Sequence, residues 1–296
     1  MSENSSSLFG RHEFLIRRLH SLSGLVPVGA YMTVHLLVNA SLMDGAGSFQ
    51  RNVNQIHSLG SALPLVEWLF IFIPIIFHAL VGIWIIRSGK SNIARYRYTS
   101  NYRYHLQRWT GVVAVIFIFF HIFHLHGWFH SEYWLNKIAH PMGMANFRAF
   151  NAASSLALAL RGFTWPVFYL VGVLACVYHF ANGIWTFGIT WGIWISPAAQ
   201  RRATYACSAF GVFLAIVGLS ALYGALMVDV DEARQIEDAM YEARLESREI
   251  SPTPHKRIDS TIVQLAPEPA NLRGPVQAPA STNPASDPVG AVANPH

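Results

Sequence analysis

The sequence predicts an all-α membrane protein with five transmembrane helices, four of them in a bundle and the fifth alongside. Three observations carry this. Only 12% of the 296 residues are charged and 52% are hydrophobic, at mean hydropathy +0.31, whereas soluble domains carry roughly a quarter charged residues. Five stretches, 19–42, 63–86, 108–128, 165–191 and 205–228, are apolar enough to cross hydrocarbon, which takes about 20 residues. The first four each hold a histidine in mid-stretch, a costly place for an ionisable group and therefore a functional signal.

The N-terminal segment 1–18, MSENSSSLFGRHEFLIRR, lacks a short apolar core with a small-residue cleavage site, so it does not read as a signal peptide. The first span is expected to act as its own insertion signal. Pro27, Pro74 and Pro166 fall within or at the start of spans, where neighbouring helices and hydroxyls can satisfy the freed carbonyls. Cys176 and Cys207 lie inside spans with no CxxC or CxxCH, which indicates neither a disulfide framework nor covalent haem attachment. The five-span domain, 19–228, is followed by a charged segment, 229–250, expected to be helical, with acidic residues near its start as a helix dipole prefers. The stretch 251–296, rich in Pro, Ala, Ser and Asn, reads as disordered.

Orientation follows from the loops, because cytoplasmic loops collect Lys and Arg. Arg11, Arg17 and Arg18 precede the first span. Arg87, Lys90, Arg95, Arg97, Arg103 and Arg108 lie between the second and third, and Arg201 and Arg202 between the fourth and fifth. The opposite loops hold only Arg51, Lys137, Arg148 and Arg161. The N-terminus is expected in the cytoplasm and the C-terminal tail outside. The formal charge of +5 is spread over short loops, so it speaks for orientation and not for nucleic-acid binding.

At 1.5 Å per residue, His35 and His121 lie about 24 and 20 Å from the inner side, and His78 and His179 about 13 and 18 Å. The depths sort into an outer pair, His35 with His121, and an inner pair, His78 with His179. Cofactor sites in bundles are built from side chains on facing helices. One imidazole from each of two helices can supply both axial ligands of a b-type haem. Zinc would want three or four protein ligands at one level, and no carboxylate accompanies the histidines as it would for non-haem iron. The expected architecture is a diheme four-helix bundle plus a fifth helix.

Gly82 follows His78 by four residues and Gly183 follows His179 by four, so each shares a helix face with its histidine and leaves room for a flat macrocycle. Gly24 stands in the same relation to His20; the outer His35 has Asn39 there. His124, one turn beyond His121, competes with it as a ligand, and depth favours His121. His126 and His130 approach the outer interface. His20, beside Arg17 and Arg18, is a candidate haem-propionate contact or an interfacial anchor. Glu67, near the outer end of the second span, is a candidate proton acceptor at a quinone site, or an interfacial carboxylate reaching water. Arg108 and Trp109 read as helix anchors.

Five stretches, RRLHSLSGLVPVG, HLLVN around His35, FIPIIFHALVG around His78, LQRWTG ahead of His121 and VYHFANGIWTFGITWG around His179, resemble the cytochrome b558-type membrane-anchor subunit of diheme succinate:quinone oxidoreductases and fumarate reductases, the five-helix single-anchor class. The resemblance spans about residues 8–228. It implies His78 and His179 as ligands of the inner haem iron, and His35 and His121 as ligands of the outer one. It also implies flavoprotein and iron–sulfur subunits on the cytoplasmic face, and quinone, with menaquinone expected, as the electron acceptor. Some fumarate reductases of this kind have an acidic residue two positions before the fourth histidine, with a proposed proton path through it. Here that position is Val177, which argues against that path.

The expected function is a bacterial inner-membrane anchor that passes electrons from the iron–sulfur subunit through two b haems to quinone near the outer side. The chain itself has no succinate site, and the quinone reaction falls on it. The reverse direction uses the same parts. The alternatives are a diheme anchor of a hydrogenase or formate dehydrogenase, and, from another class, a haem or metal transport or sensing protein. Lipid is the remaining expected partner, and nucleic acid is excluded.

Overall fold

A computed structural model of the chain describes residues 8–89 and 98–258. Lys90, Arg95 and Arg97 of the orientation argument lie outside the described residues, as do positions 1–7 and the tail from 259 onward. Among the described residues there is no strand, and five helical spans are long and apolar enough to cross a membrane: His12–Asp44, Gly60–Ser88, Asn101–Leu125, Thr164–Thr190 and Pro197–Met227. The protein is an all-α, multi-pass membrane protein.

The first span joins α1 (Leu8–Ser23) to α2 (Ala30–Ala40) through a π-helical turn, Gly24–Gly29, that contains Pro27. Proline has no N–H and its ring clashes with the carbonyl four residues back, and a widened turn relieves both faults. The second span repeats the device: α4 (Leu63–Glu67) runs into a π turn, Trp68–Phe72, just before Pro74 at the start of α5 (Ile73–Ser88). The third span lies in α6 (Thr99–Leu125), the fourth is α9 (Thr164–Thr190) and the fifth is α10 (Pro197–Met227). Helices α6 and α10 begin earlier than hydropathy implied, because polar helix formers such as Gln200, Arg201 and Arg202 extend a helix without extending an apolar stretch. Ser196 caps α10, accepting from the Ala199 N–H at 3.2 Å, with Pro197 at the first helical position.

Helix α9 packs against α6 and α10, α10 against α2, and α1 against α5. Small residues allow close approach where side chains would collide. A methyl group at Gly172 would run into the Phe117 ring, and one at Gly218 would stand 2.6 Å from Val173.

At one end of the bundle the connections build a helical cap. Helix α3 (Ala46–His57), a single turn α7 (Glu132–Trp134) and α8 (Ala152–Ala159) lie in the loops, and α11 (Val230–Glu246) follows the fifth span. Helices α3, α8 and α11 pack on one another around Phe49, Val53, Ala152 and Ala233. Asp229 starts α11 by accepting from the N–H groups of Asp231 and Glu232 at 3.0 and 3.1 Å. Glu237 is fully buried against the start of α8. Its carboxylate accepts from the N–H groups of Ala153 (2.6 Å) and Ser154 (3.3 Å) and from the Ser154 hydroxyl (2.5 Å). It thus satisfies helix-terminal donors that have no partner within α8.

Residues 251–258, which composition assigned to a structureless tail, are held in place. The Thr253 N–H donates to the Tyr241 hydroxyl, the Phe150 N–H to the Lys256 carbonyl, and the Ile258 N–H to Asn151 Oδ1. Backbone bonding to another element is invisible to composition.

Candidate cofactor site

The four mid-span histidines come together in twos. The His35 and His121 rings lie 5.8 Å apart at 81°, and His78 and His179 6.1 Å apart at 89°. Metal–imidazole bonds are about 2.0 Å long, so two imidazoles on opposite sides of one metal ion have ring centres about 6 Å apart. Both separations match that requirement. Among the described residues no group of three or more His, Cys, Asp or Glu side chains is placed to hold a metal.

The His78–His179 pair sits at the basic end of the bundle, where Arg17, Arg18, Arg103 and Arg108 gather. The Arg17 guanidinium lies over the Trp84 ring, Arg18 over Trp191 and Arg103 over Trp185. His78 Nδ1 donates to the His20 carbonyl at 2.9 Å, and the His20 ring stacks on His78 with centroids 4.0 Å apart. His179 Nδ1 donates to the Gln107 carbonyl at 3.0 Å. Asn182 Nδ2 donates to Gln107 Oε1 at 2.7 Å, and Asn182 Oδ1 accepts from Arg103 Nη2 at 2.7 Å. With Nδ1 protonated and bonded to a carbonyl, each ring leaves Nε2 free to bind a metal, which is how ligating histidines are held.

Glycine shapes this end from the facing helices. A methyl group at Gly24 would overlap the His78 ring, and one at Gly111 would come within 2.9 Å of His179 Cε1. Gly82 and Gly183, the two glycines that sequence spacing singled out, lie beside His20 Nε2 (3.3 Å) and Gln107 Nε2 (3.8 Å).

The His35–His121 pair sits nearer the cap. His121 Nδ1 is 3.3 Å from the Tyr169 hydroxyl, which also lies 3.1 Å from His124 Nδ1. His124 is buried and stacks flat on Trp165 at 3.6 Å. Asn39 donates to the His35 carbonyl at 2.8 Å and approaches His35 Nε2 at 3.4 Å, the far limit of a hydrogen bond.

Glu67 lines a cavity of about 430 Å³ at the capped end with Trp68, Phe72, His126, Trp128 and His130. Trp128 lies in the left-handed backbone region, at φ 66°, strained for a bulky residue. Burial, with His130 adding to it, pushes the His126 imidazole down to about 4, so that ring is neutral at pH 7. The buried His126 Nδ1 has no hydrogen-bond partner among the described residues.

Sequence reasoning did not assign roles to Gln107, Gly111, Tyr169 or Asn182. Gln107 and Gly111 lie in LQRWTG and Asn182 in YHFANG, stretches singled out for other reasons. Nothing in the sequence marked Tyr169.

Five apolar spans with imidazoles paired across the bundle are the architecture that a cytochrome b-like membrane anchor requires. No family model matches the chain. The succinate dehydrogenase cytochrome b558 subunit of Bacillus subtilis (strain 168) is 38% identical to it over 216 residues, 72% of this chain and 98% of that protein. The chain belongs to the succinate dehydrogenase cytochrome b558 subunit family.

Proposed function

We propose that this chain is the diheme anchor of a succinate:quinone oxidoreductase, with its basic end in the cytoplasm beneath a flavoprotein and an iron–sulfur subunit. The observation that carries the reading is the presence of two imidazole pairs, each spaced for one metal ion, at two levels of one bundle. Each pair would serve as a bis-histidine haem site: His78 and His179 would hold the haem at the basic end, and His35 and His121 the one nearer the cap. When bound, the haems supply one-electron transfer along the membrane normal to quinone.

The chain's own residues orient and insulate. The carbonyls of His20 and Gln107 hold the Nδ1 protons of His78 and His179 and set both rings. Phe117 stacks on His121, Phe168 packs behind Phe117 and Trp165 on Phe168, an apolar layer that lowers the dielectric beside His121, a recognised control on redox potential. At the Glu67 cavity, aromatic walls suit a flat quinone ring, and the Glu67 carboxylate is the group placed to hold a proton. Arg17, Arg18, Arg103 and Arg108 supply positive charge for haem propionates or for an acidic face of a partner subunit.

The test is succinate-dependent reduction of haem in membranes that carry the full complex. Two sets of sharp low-spin bands reduced by succinate are expected. Purified complex without haem would overturn the reading, and haem that succinate does not reduce would reassign the anchor to another oxidoreductase.

A further inference from the structure

The two pairs differ in what holds the second nitrogen of each ring. At the basic end both Nδ1 atoms meet backbone carbonyls, which only accept. At the capped end His121 Nδ1 meets a phenol that both donates and accepts and that bridges to a second imidazole, at 3.3 Å to His121 and 3.1 Å to His124.

Proton counting fixes the His121 end of this chain of contacts. A metal on His121 Nε2 requires the ring proton on Nδ1. That N–H must donate, and the Tyr169 oxygen is the acceptor beside it. The phenol has a single O–H, and His124 Nδ1, 3.1 Å away, is the neighbour positioned to accept it. The reverse arrangement, with His124 donating to Tyr169 and Tyr169 to His121, puts the His121 proton on Nε2 and blocks the metal. His124 is held for its part by the flat stack on Trp165 at 3.6 Å, and the His124 carbonyl accepts from Asn146 Nδ2 at 3.1 Å. Donating its own O–H to His124 makes the phenol oxygen a stronger acceptor, because hydrogen-bond chains polarise one another.

We propose that Tyr169 is a positioning residue for the capped-end pair, selecting the metal-binding tautomer of His121 through a directed chain, His121 to Tyr169 to His124. This rests on the haem reading above. An acceptor on Nδ1 makes a ligating imidazole more electron-rich and favours the oxidised metal, so removing the phenol oxygen should raise the midpoint potential of one haem only.

The experiment is a redox titration of both haems, with their low-spin electron paramagnetic resonance signals, in membranes containing the full complex. Tyr169→Phe, which keeps the ring packed against Phe117 and Trp165, is expected to raise the potential and shift the signal of the haem lost in His35→Ala. The haem lost in His78→Ala should stay unchanged. His124→Leu leaves the phenol in place and should shift the same haem in the same direction by less. Two haems retained in Tyr169→Phe with the capped-end potential unmoved would overturn the proposal, as would a shift confined to the basic-end haem. If Tyr169→Phe loses the haem altogether, His124→Leu decides: a rise supports the chain, and no change sinks it. Wild-type complex lacking haem would fail earlier and differently, by removing the reading on which the chain rests.

Discussion

The basic-end and capped-end pairs have nearly the same ring geometry and quite different supports. His78 and His179 are held by main-chain carbonyls and crowded by backbone from facing spans, so their position is part of how the helices pack. His121 is held by side chains, Tyr169 and beyond it His124. Main-chain support cannot be removed by substitution, while side-chain support can be adjusted one group at a time. The lesson is that one ligand set can be mounted rigidly or tunably, and here both mountings occur within a single bundle.

The largest expected effects come from the rings themselves. His78→Ala or His179→Ala should abolish one set of reduced low-spin bands completely, and His35→Ala or His121→Ala the other. Loss of both sets from any one substitution would mean the pairs are not independent. Next come the glycines of the basic end. Gly24→Val drives atoms into the His78 ring and cannot be relieved cheaply, since overpacking costs about 1–3 kcal/mol. It should deplete the basic-end haem strongly in difference spectra, with Gly111→Ala, whose new carbon stands 2.9 Å from His179, a weaker version. Equal losses of both haems would show that Gly24 shapes the whole bundle.

At the capped end, Glu237→Ala strips the acceptor from the Ala153 and Ser154 N–H groups. It should cost ~1–3 kcal/mol of cap stability, read as faster proteolysis within α11 with the haem bands retained. Burial raises the Glu237 carboxyl above its ordinary range, so the native state keeps a proton in a window where the unfolded chain has released it. That contribution is complete below the ordinary carboxylate range and is lost as pH rises towards the raised value. Glu237→Gln should flatten the slope. His57 acts oppositely: burial, with Lys256 and Arg244 adding to it, lowers its imidazole to about 4, so its contribution is present above pH 6.5 and falls away as pH drops towards 4. The smallest effect is expected from Asn182→Ala. It removes the link between Arg103 and the Gln107 side chain while the Gln107 carbonyl still accepts from His179. A cost of ~1 kcal/mol and a small signal shift at the basic-end haem, with none at the other, are the outcomes to measure.

Much of the architecture was legible from apolar length alone, because hydrocarbon leaves the backbone few options and five long stretches can only be five helices. Which histidines neighbour each other could also be read, since helical rise converts residue number into depth. Helices α3 and α8 were not legible: they are short, and the Glu237 carboxylate that caps α8 lies 83 positions from Ser154. The glycine reading went by spacing along one helix. Crowding against His78 and His179 comes from Gly24 and Gly111 on facing spans, a relation that no spacing within one helix contains.

Composition and periodicity by themselves determined that this chain is a membrane bundle with imidazoles at two depths, because both follow from local chemistry and a fixed rise per residue. Only the tertiary structure decided what stands behind each imidazole: a carbonyl at His78 and His179, and a phenol at His121. Hydrogen-bond partners are set by the rotation and approach of whole helices, and those are products of side-chain packing between segments far apart in the chain.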